Sequence, residues 1–349
     1  MIEERREQEG GEMMKIKGLL WKEWHQYRWY FVLALVLISA EPILTPLSIQ
    51  MGKLSNSADA WSVGIKHILA TGFSTTETTL MVGVVLLAAL MLAGERGGTL
   101  NYLVTAPVSR RQIIISKFIS GSLAIIAIMS VISLFFVAAQ ELKPALYSVQ
   151  EVLNWAVITT GALLCLFSLT LLAASFCQGI LSSALITMFI VGLPWILISI
   201  ASQVLRQLGT LSAGMELKLR YLGTYLFIPD YISRDGRYIW DSNGRVNPDY
   251  PLEIILLLLA AGLCLWLAIK AFEKTPLERQ GEILLFGNFK QIGMIFISFL
   301  TAMIWAGERA FSPASFLLYF PIMWLGLYLV MTAVARVIAW LAWHGWGRG

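Results

Sequence analysis

Apolar residues run in long unbroken stretches along the chain, with polar segments between them. Eight stretches stand out, at about 29–47, 79–94, 118–140, 152–176, 179–203, 253–272, 291–306 and 316–341. Crossing the hydrocarbon layer of a bilayer takes roughly 17–25 apolar residues in a helix. The second and seventh stretches are short and reach that length by borrowing flanking residues. In lipid the backbone has no water to bond to, so each stretch predicts a helix, and the alternation of a membrane barrel is absent. The predicted fold class is an all-α polytopic membrane protein with about eight transmembrane helices. A six-helix version results if one run lies in the interface. Residues 1–14 read as a charged, solvated tail, with Met13 or Met14 as an alternative start. Residues 15–349 read as a single transmembrane domain with a long extracytoplasmic segment at 204–252.

Composition agrees with this pattern. Hydrophobic residues make up 57% of the 349 and charged residues 14%, against about 45–50% and about 25% in soluble domains. Mean hydropathy is +0.71. A soluble core of this length cannot hide so much apolar surface, which excludes a soluble enzyme, a disordered chain and a disulfide-stapled secreted domain. The net charge of +4 comes without any long basic block, so no nucleic-acid partner is expected. Cys165, Cys177 and Cys264 form no C-x-x-C pair and read as small buried apolar side chains.

The placement of Lys and Arg orients the chain. With the N-terminus inside, the short outside loops hold only Lys53, Lys66, Lys143 and Arg309, while the inside segments hold most of the remaining cations. The positive-inside rule then puts both termini in the cytoplasm and makes the number of spans even.

Three segments between the runs carry information. In 15–30, Trp21, Trp24 and Tyr27 share one helical side with Leu20, while Lys17, Lys22 and Arg28 can reach headgroups. This predicts an amphipathic interfacial helix, or equally an aromatic belt beside a basic flank. In 94–117, Gly97 and Gly98 break the incoming helix, and Leu100, Leu103 and Val104 lie on one face of a short helix that Pro107 ends. Ser109 and Gln112 form an S-x-x-Q capping box opening the next helix. Arg110 and Arg111 fall in its first turn, where the helix dipole disfavours cations. A compensating group outside the helix is therefore expected, either acidic headgroups or an acidic partner, unless the pair is a simple positive-inside anchor. In 270–290, Thr275, Pro276 and Glu278 make a second capping box before a short amphipathic stretch.

Outside the membrane, 204–252 has turn signals at Asp235-Gly236 and Asn243-Gly244 that bracket 237–241 and suit a small hairpin or a capped loop. Its aromatic residues, among them Tyr221, Tyr225, Tyr231 and Trp240, read as an outer interfacial belt.

Catalytic chemistry is sparse. His25, His67 and His344 are far apart, and neither H-E-x-x-H nor G-x-S-x-G occurs. No metal site is expected. Glu41, just before Pro42 in the first run, is the one candidate for a substrate path, against a position at the outer boundary. There is no G-x-x-x-x-G-K-[ST], so the chain cannot cradle nucleotide phosphates in the usual loop.

The 94–117 segment resembles the type-2 permease family of ABC transporters, the membrane subunits of ABC exporters. Members commonly show an acidic-basic pair, then G-T-L, a short apolar stretch, P-[VI]-S-R and a helix ending in K. The matching positions here are Glu95, Arg96, Gly98-Thr99-Leu100, Pro107-Val108-Ser109-Arg110 and Lys117. Leu20-Trp-Lys-Glu-Trp24 resembles the family's amphipathic N-terminal helix. Pro276-Leu-Glu-Arg-x-Gly-Glu is more loosely similar to Gram-positive permeases of the Ytr type. Asn101 stands where the family often has Glu, and eight spans exceed its usual six.

The resemblance implies a permease in a bacterial plasma membrane. A cytoplasmic coupling helix, with Glu95, Arg96, Thr99, Leu100, Leu103, Val104, Pro107, Ser109, Arg110 and Arg111 around it, would dock on a cytosolic ABC ATPase. The implied partners are that ATPase, a second identical or different permease subunit, and membrane lipids. ATP and Mg would bind the ATPase, and this chain would be no enzyme and hold no cofactor. Two alternatives stand beside it. A secondary transporter driven by an ion gradient needs midplane acids and usually an internal repeat. The other is a non-enzymatic membrane scaffold or mechanotransducing subunit.

Overall fold

The protein is described by a computed structural model covering residues 18–36, 38–39, 65–66, 68–69, 77–93, 108–142, 147–177, 179–207, 210, 212–232, 240–241, 244–245, 250–274, 287–309 and 313–345. The chain is built of helices. In order they are α1 (18–36 continuing at 38–39), α2 (Glu77–Leu92), α3 (Arg110–Leu142), α4 (Val149–Phe176), α5 (Ile180–Gln207), α6 (Ala213–Leu226), α7 (Ile228–Ile232), α8 (Tyr250–Lys274), α9 (Gly287–Arg309) and α10 (Pro313–Gly345). Further helical positions occur at 65–66 and 68–69. Each of the eight apolar runs coincides with a helix or with its described part. Among the described residues four helical stretches are long and apolar enough to cross a membrane: Arg110–Gln140, Val149–Phe176, Ile180–Arg206 and Pro251–Lys274. Shorter apolar stretches lie at Met81–Leu92 and Leu318–Val334. One departure from an all-α fold is a two-residue antiparallel ladder, Trp240–Asp241 (β1) with Gly244–Arg245 (β2). It lies at the Asn243-Gly244 turn signal.

The chain divides into two compact units, one of 1–191 with 227–285 and one of 192–226 with 286–349. In the first, α4 is the inner helix. Of its spanning window 72% is buried, against 28% for α3 and 22% for α8. It packs against α2, α3, α7 and α8. Small residues let the backbones approach, as is usual between helices in lipid. At Gly121 on α3 the ring of Phe167 from α4 takes the space of a side chain, and a Cβ there would collide with that ring. The start of α4 is set by Ser148. Its Oγ accepts from the Glu151 N–H (3.2 Å), and the Glu151 carboxylate accepts from the Ser148 N–H (3.4 Å). This capping box satisfies helix N–H groups that would otherwise lack partners. Tyr147, just before it, donates its hydroxyl to the Phe136 carbonyl of α3 at 2.9 Å, which ties the α3–α4 connection down. Tyr231 of α7, expected in an interfacial belt, is instead buried in this core. Five-residue α7 turns it toward α4.

In the second unit, α9 and α10 pack through aromatic side chains. Phe299 of α9 meets Phe320 and Trp324 of α10 edge-on, with centroids 5.2 and 5.7 Å apart, a favoured geometry for ring quadrupoles. Arg206 and Glu216 pair at 3.6 Å between the end of α5 and the start of α6.

Candidate functional site

The informative region is the end of the first unit where α1, α2 and α3 meet. On α1 the inward stripe is Leu19, Glu23, Tyr27, Phe31, Ala34 and Ile38, all buried. Their spacing of three and four residues keeps them on one side of a helix. Trp21, Trp24 and Trp29 are exposed. Trp21 stacks on His25 at 4.4 Å, and the Arg28 guanidinium sits 5.8 Å from the Trp29 ring. Tyr27 is therefore buried where Trp21 and Trp24 are exposed, although Trp24 is only about 60° from it around the helix. At 3.6 residues per turn it lies about 120° from Trp21, and it faces protein. The tryptophans keep the exposed, interface-type position.

Glu23 is the charged member of that inward stripe, and its partner comes from α3. Lys117 Nζ donates to both carboxylate oxygens, at 3.1 and 3.2 Å, with both side chains fully buried. The Lys22 ammonium also reaches Glu23, at 3.5 Å. The Lys117 ammonium lies 5.4 Å from the centroid of the Tyr27 ring, within cation–π range. The Tyr27 hydroxyl accepts from Gln26 (3.1 Å) and donates to the Met91 carbonyl at the end of α2 (3.5 Å, at the long limit). One cluster thus links α1, α2 and α3. Removing one partner of a buried ion pair generally costs about 3–5 kcal/mol, whereas replacing both by packed apolar groups is close to neutral. Such a pair is weak as a source of stability and strong as a constraint on register.

The start of α3 is locally encoded. The Ser109 N–H donates to Gln112 Oε1 (3.0 Å) and the Gln112 N–H to Ser109 Oγ (3.2 Å). Both halves of the expected capping box form. Arg110 is then the first residue of α3, and its Nη1 donates to the Glu273 carbonyl at 3.1 Å. Glu273 lies in the last turn of α8, where the helix dipole is negative. For Arg110 one compensating group is therefore another helix terminus of the same chain. Arg111 is exposed.

Several sequence-predicted positions lie outside the described residues: Glu95, Arg96, Thr99, Leu100, Leu103, Val104, Pro107, Glu41 and the Thr275–Glu278 box. Of the residues flanking 94–107, Met91 before it and Lys117 after it are linked through Tyr27, while Arg110 meets Glu273 of α8. The sequence reading missed the joining of Glu23 to Lys117, although a Glu in an otherwise apolar stripe was the signal. Within the helices, Ser116, Ser133, Thr170 and Thr187 donate to carbonyls one turn back in their own helix. Their hydroxyls are thereby satisfied in an apolar setting. Cys165 and Cys177 are buried and Cys264 partly so. Among the described residues no three His, Cys, Asp or Glu side chains are grouped to hold a metal ion.

A family model described as ABC-2 family transporter protein matches residues 19–229. No curated protein matches the chain. The matched residues begin in the first turn of α1, include Glu23 and Lys117 and the whole stretch between them, and end in α7. They make up more than half of the 349-residue chain. The chain therefore belongs to the ABC-2 family of transporter proteins, as a multi-pass membrane subunit.

Proposed function

We propose that the chain is the transmembrane permease subunit of an ATP-driven ABC exporter in a bacterial plasma membrane. It crosses the membrane eight times with both termini in the cytoplasm. The 95–111 segment carries the coupling helix, docks on a separate cytosolic ABC ATPase, and passes the motion of ATP-driven closure to the spans. A second permease subunit completes the transport path. ATP and Mg belong to the ATPase, since this sequence has no phosphate-cradling P-loop.

The observation that carries the reading is the anchoring on both sides of that segment. Tyr27 bonds the end of α2 at Met91, and Glu23 holds α3 at Lys117. Arg110 fixes the first turn of α3 to α8. A docking loop set on flexible supports would absorb a push, whereas one set on packed helices transmits it.

ATP hydrolysis in membranes tests this. Vesicles expressing the chain with its genetic neighbours should show vanadate-sensitive ATPase activity, and charge reversal at Arg111 should reduce its association with the membrane. Activity that persists in the membrane without this chain would count against the reading.

A further inference from the structure

The Glu23–Lys117 pair is buried, and it is an arrangement that evolution can replace at little loss of stability. Two packed apolar side chains would hold α1 against α3 about as well. What a bidentate buried pair adds is a single allowed register, because sliding by one turn takes the carboxylate away from Lys117 and leaves Glu23 only the longer contact to Lys22. The hydroxyls inside the spans add no such constraint, since most bond within their own helix. The pair joins helices 94 residues apart in sequence, just beyond the capped start of α3. Lys117 also lies over Tyr27, whose hydroxyl bonds the end of α2.

From this juxtaposition we infer that Glu23 and Lys117 are positioning residues forming a clasp that makes α1 move with α3. Displacement delivered between α2 and α3 then reaches the interfacial helix and the first span. The inference rests on the permease reading for the source of that displacement. Without the clasp, α1 slips against α3.

The test uses the full-length chain with its co-purified ATPase in nanodiscs, with the three cysteines replaced by alanine. Spin labels go at Val32 on α1 and Leu123 on α3, which are both exposed. Pulsed electron spin resonance then measures their separation without nucleotide and after ADP–vanadate trapping. The native pair should give one narrow distribution that does not change between the two states. Glu23→Leu/Lys117→Met should keep the ATPase bound and able to trap ADP–vanadate, while the distribution broadens and its mean shifts on trapping. A merely structural pair would leave the width and the nucleotide dependence of the distance unmoved. If the double variant does not assemble, Glu23→Gln is read by the same criteria. A variant distribution as narrow and as indifferent to nucleotide as the native one overturns the inference, and so does a native separation that shifts on trapping. Should no ATPase accompany the native chain, the permease reading falls. The clasp is then decided without nucleotide: a broader distribution in the variant upholds it and equal widths overturn it.

Discussion

Arg110 donates from Nη1 to the main-chain oxygen of Glu273 across 3.1 Å, so the first turn of α3 closes on the last turn of α8. Two helix ends of opposite dipole sign are joined by one cation. The Glu273 carboxylate is itself 3.6 Å from Lys270 one turn earlier. The adjacent Arg111 is exposed, and the two arginines therefore have different tasks although the sequence presents them as a pair.

Arg110→Glu is expected to lower the unfolding free energy by about 1–2 kcal/mol, less than the full worth of a buried charged hydrogen bond because the side chain is partly exposed. Arg111→Glu is expected to leave the melting temperature unchanged. Thermal unfolding of the two single variants in the same detergent checks the split, and equal losses would contradict it.

Gly121 gives way to the Phe167 ring. Gly121→Leu should destabilise the α3–α4 contact by about 1–3 kcal/mol, the usual cost of overpacking. Adding Phe167→Ala should recover part of that loss. Two independent losses that simply add would show that the two positions do not meet.

Lys117→Met should be far more damaging than Glu23→Leu/Lys117→Met. The single change leaves the buried Glu23 carboxylate only the longer Lys22 contact at 3.5 Å and costs up to about 3–5 kcal/mol, whereas the double change removes both charges. Yields of monodisperse protein and unfolding midpoints across the four-member cycle measure the coupling. A single variant as stable as the double would mean that Glu23 is not held by Lys117.

Burial raises the Tyr147 phenol above its ordinary value of 10.0, and its hydroxyl donates to the Phe136 carbonyl. The folded state thus holds this proton more tightly than the unfolded state. The stability it contributes is complete below pH 10.0 and is lost as pH rises through the folded value. Tyr147→Phe should lower stability at neutral pH and flatten the alkaline limb above pH 10. An unchanged alkaline limb would show that Tyr147 does not titrate between the two states.

Legibility in the sequence followed the range of the interaction. The Ser109–Gln112 box is local and was read from four residues. The Ser148–Glu151 box has the same form and was there to be read, but it was overlooked between two apolar runs. The apolar runs predicted their helices because in lipid the backbone leaves no other choice. The positions of Glu23 and Tyr27 were harder. Trp21, Trp24 and Tyr27 look alike on an interfacial helix, and only the partner helices decide which side is covered. The pairing of Glu23 with Lys117, like that of Arg110 with Glu273, joins residues with no periodic relation. Each member is visible in the sequence, but its partner depends on how α3 packs against α1 and α8.

The most direct test of the central claim is co-purification. The tagged native chain and Arg111→Glu, each expressed with its native neighbours, are drawn from mild detergent and the bound proteins identified by mass spectrometry. A Walker-motif ATPase should accompany the native chain and be severalfold depleted with an Arg111→Glu variant of native melting temperature. A native complex that keeps its other partners but holds no such ATPase would contradict the permease account.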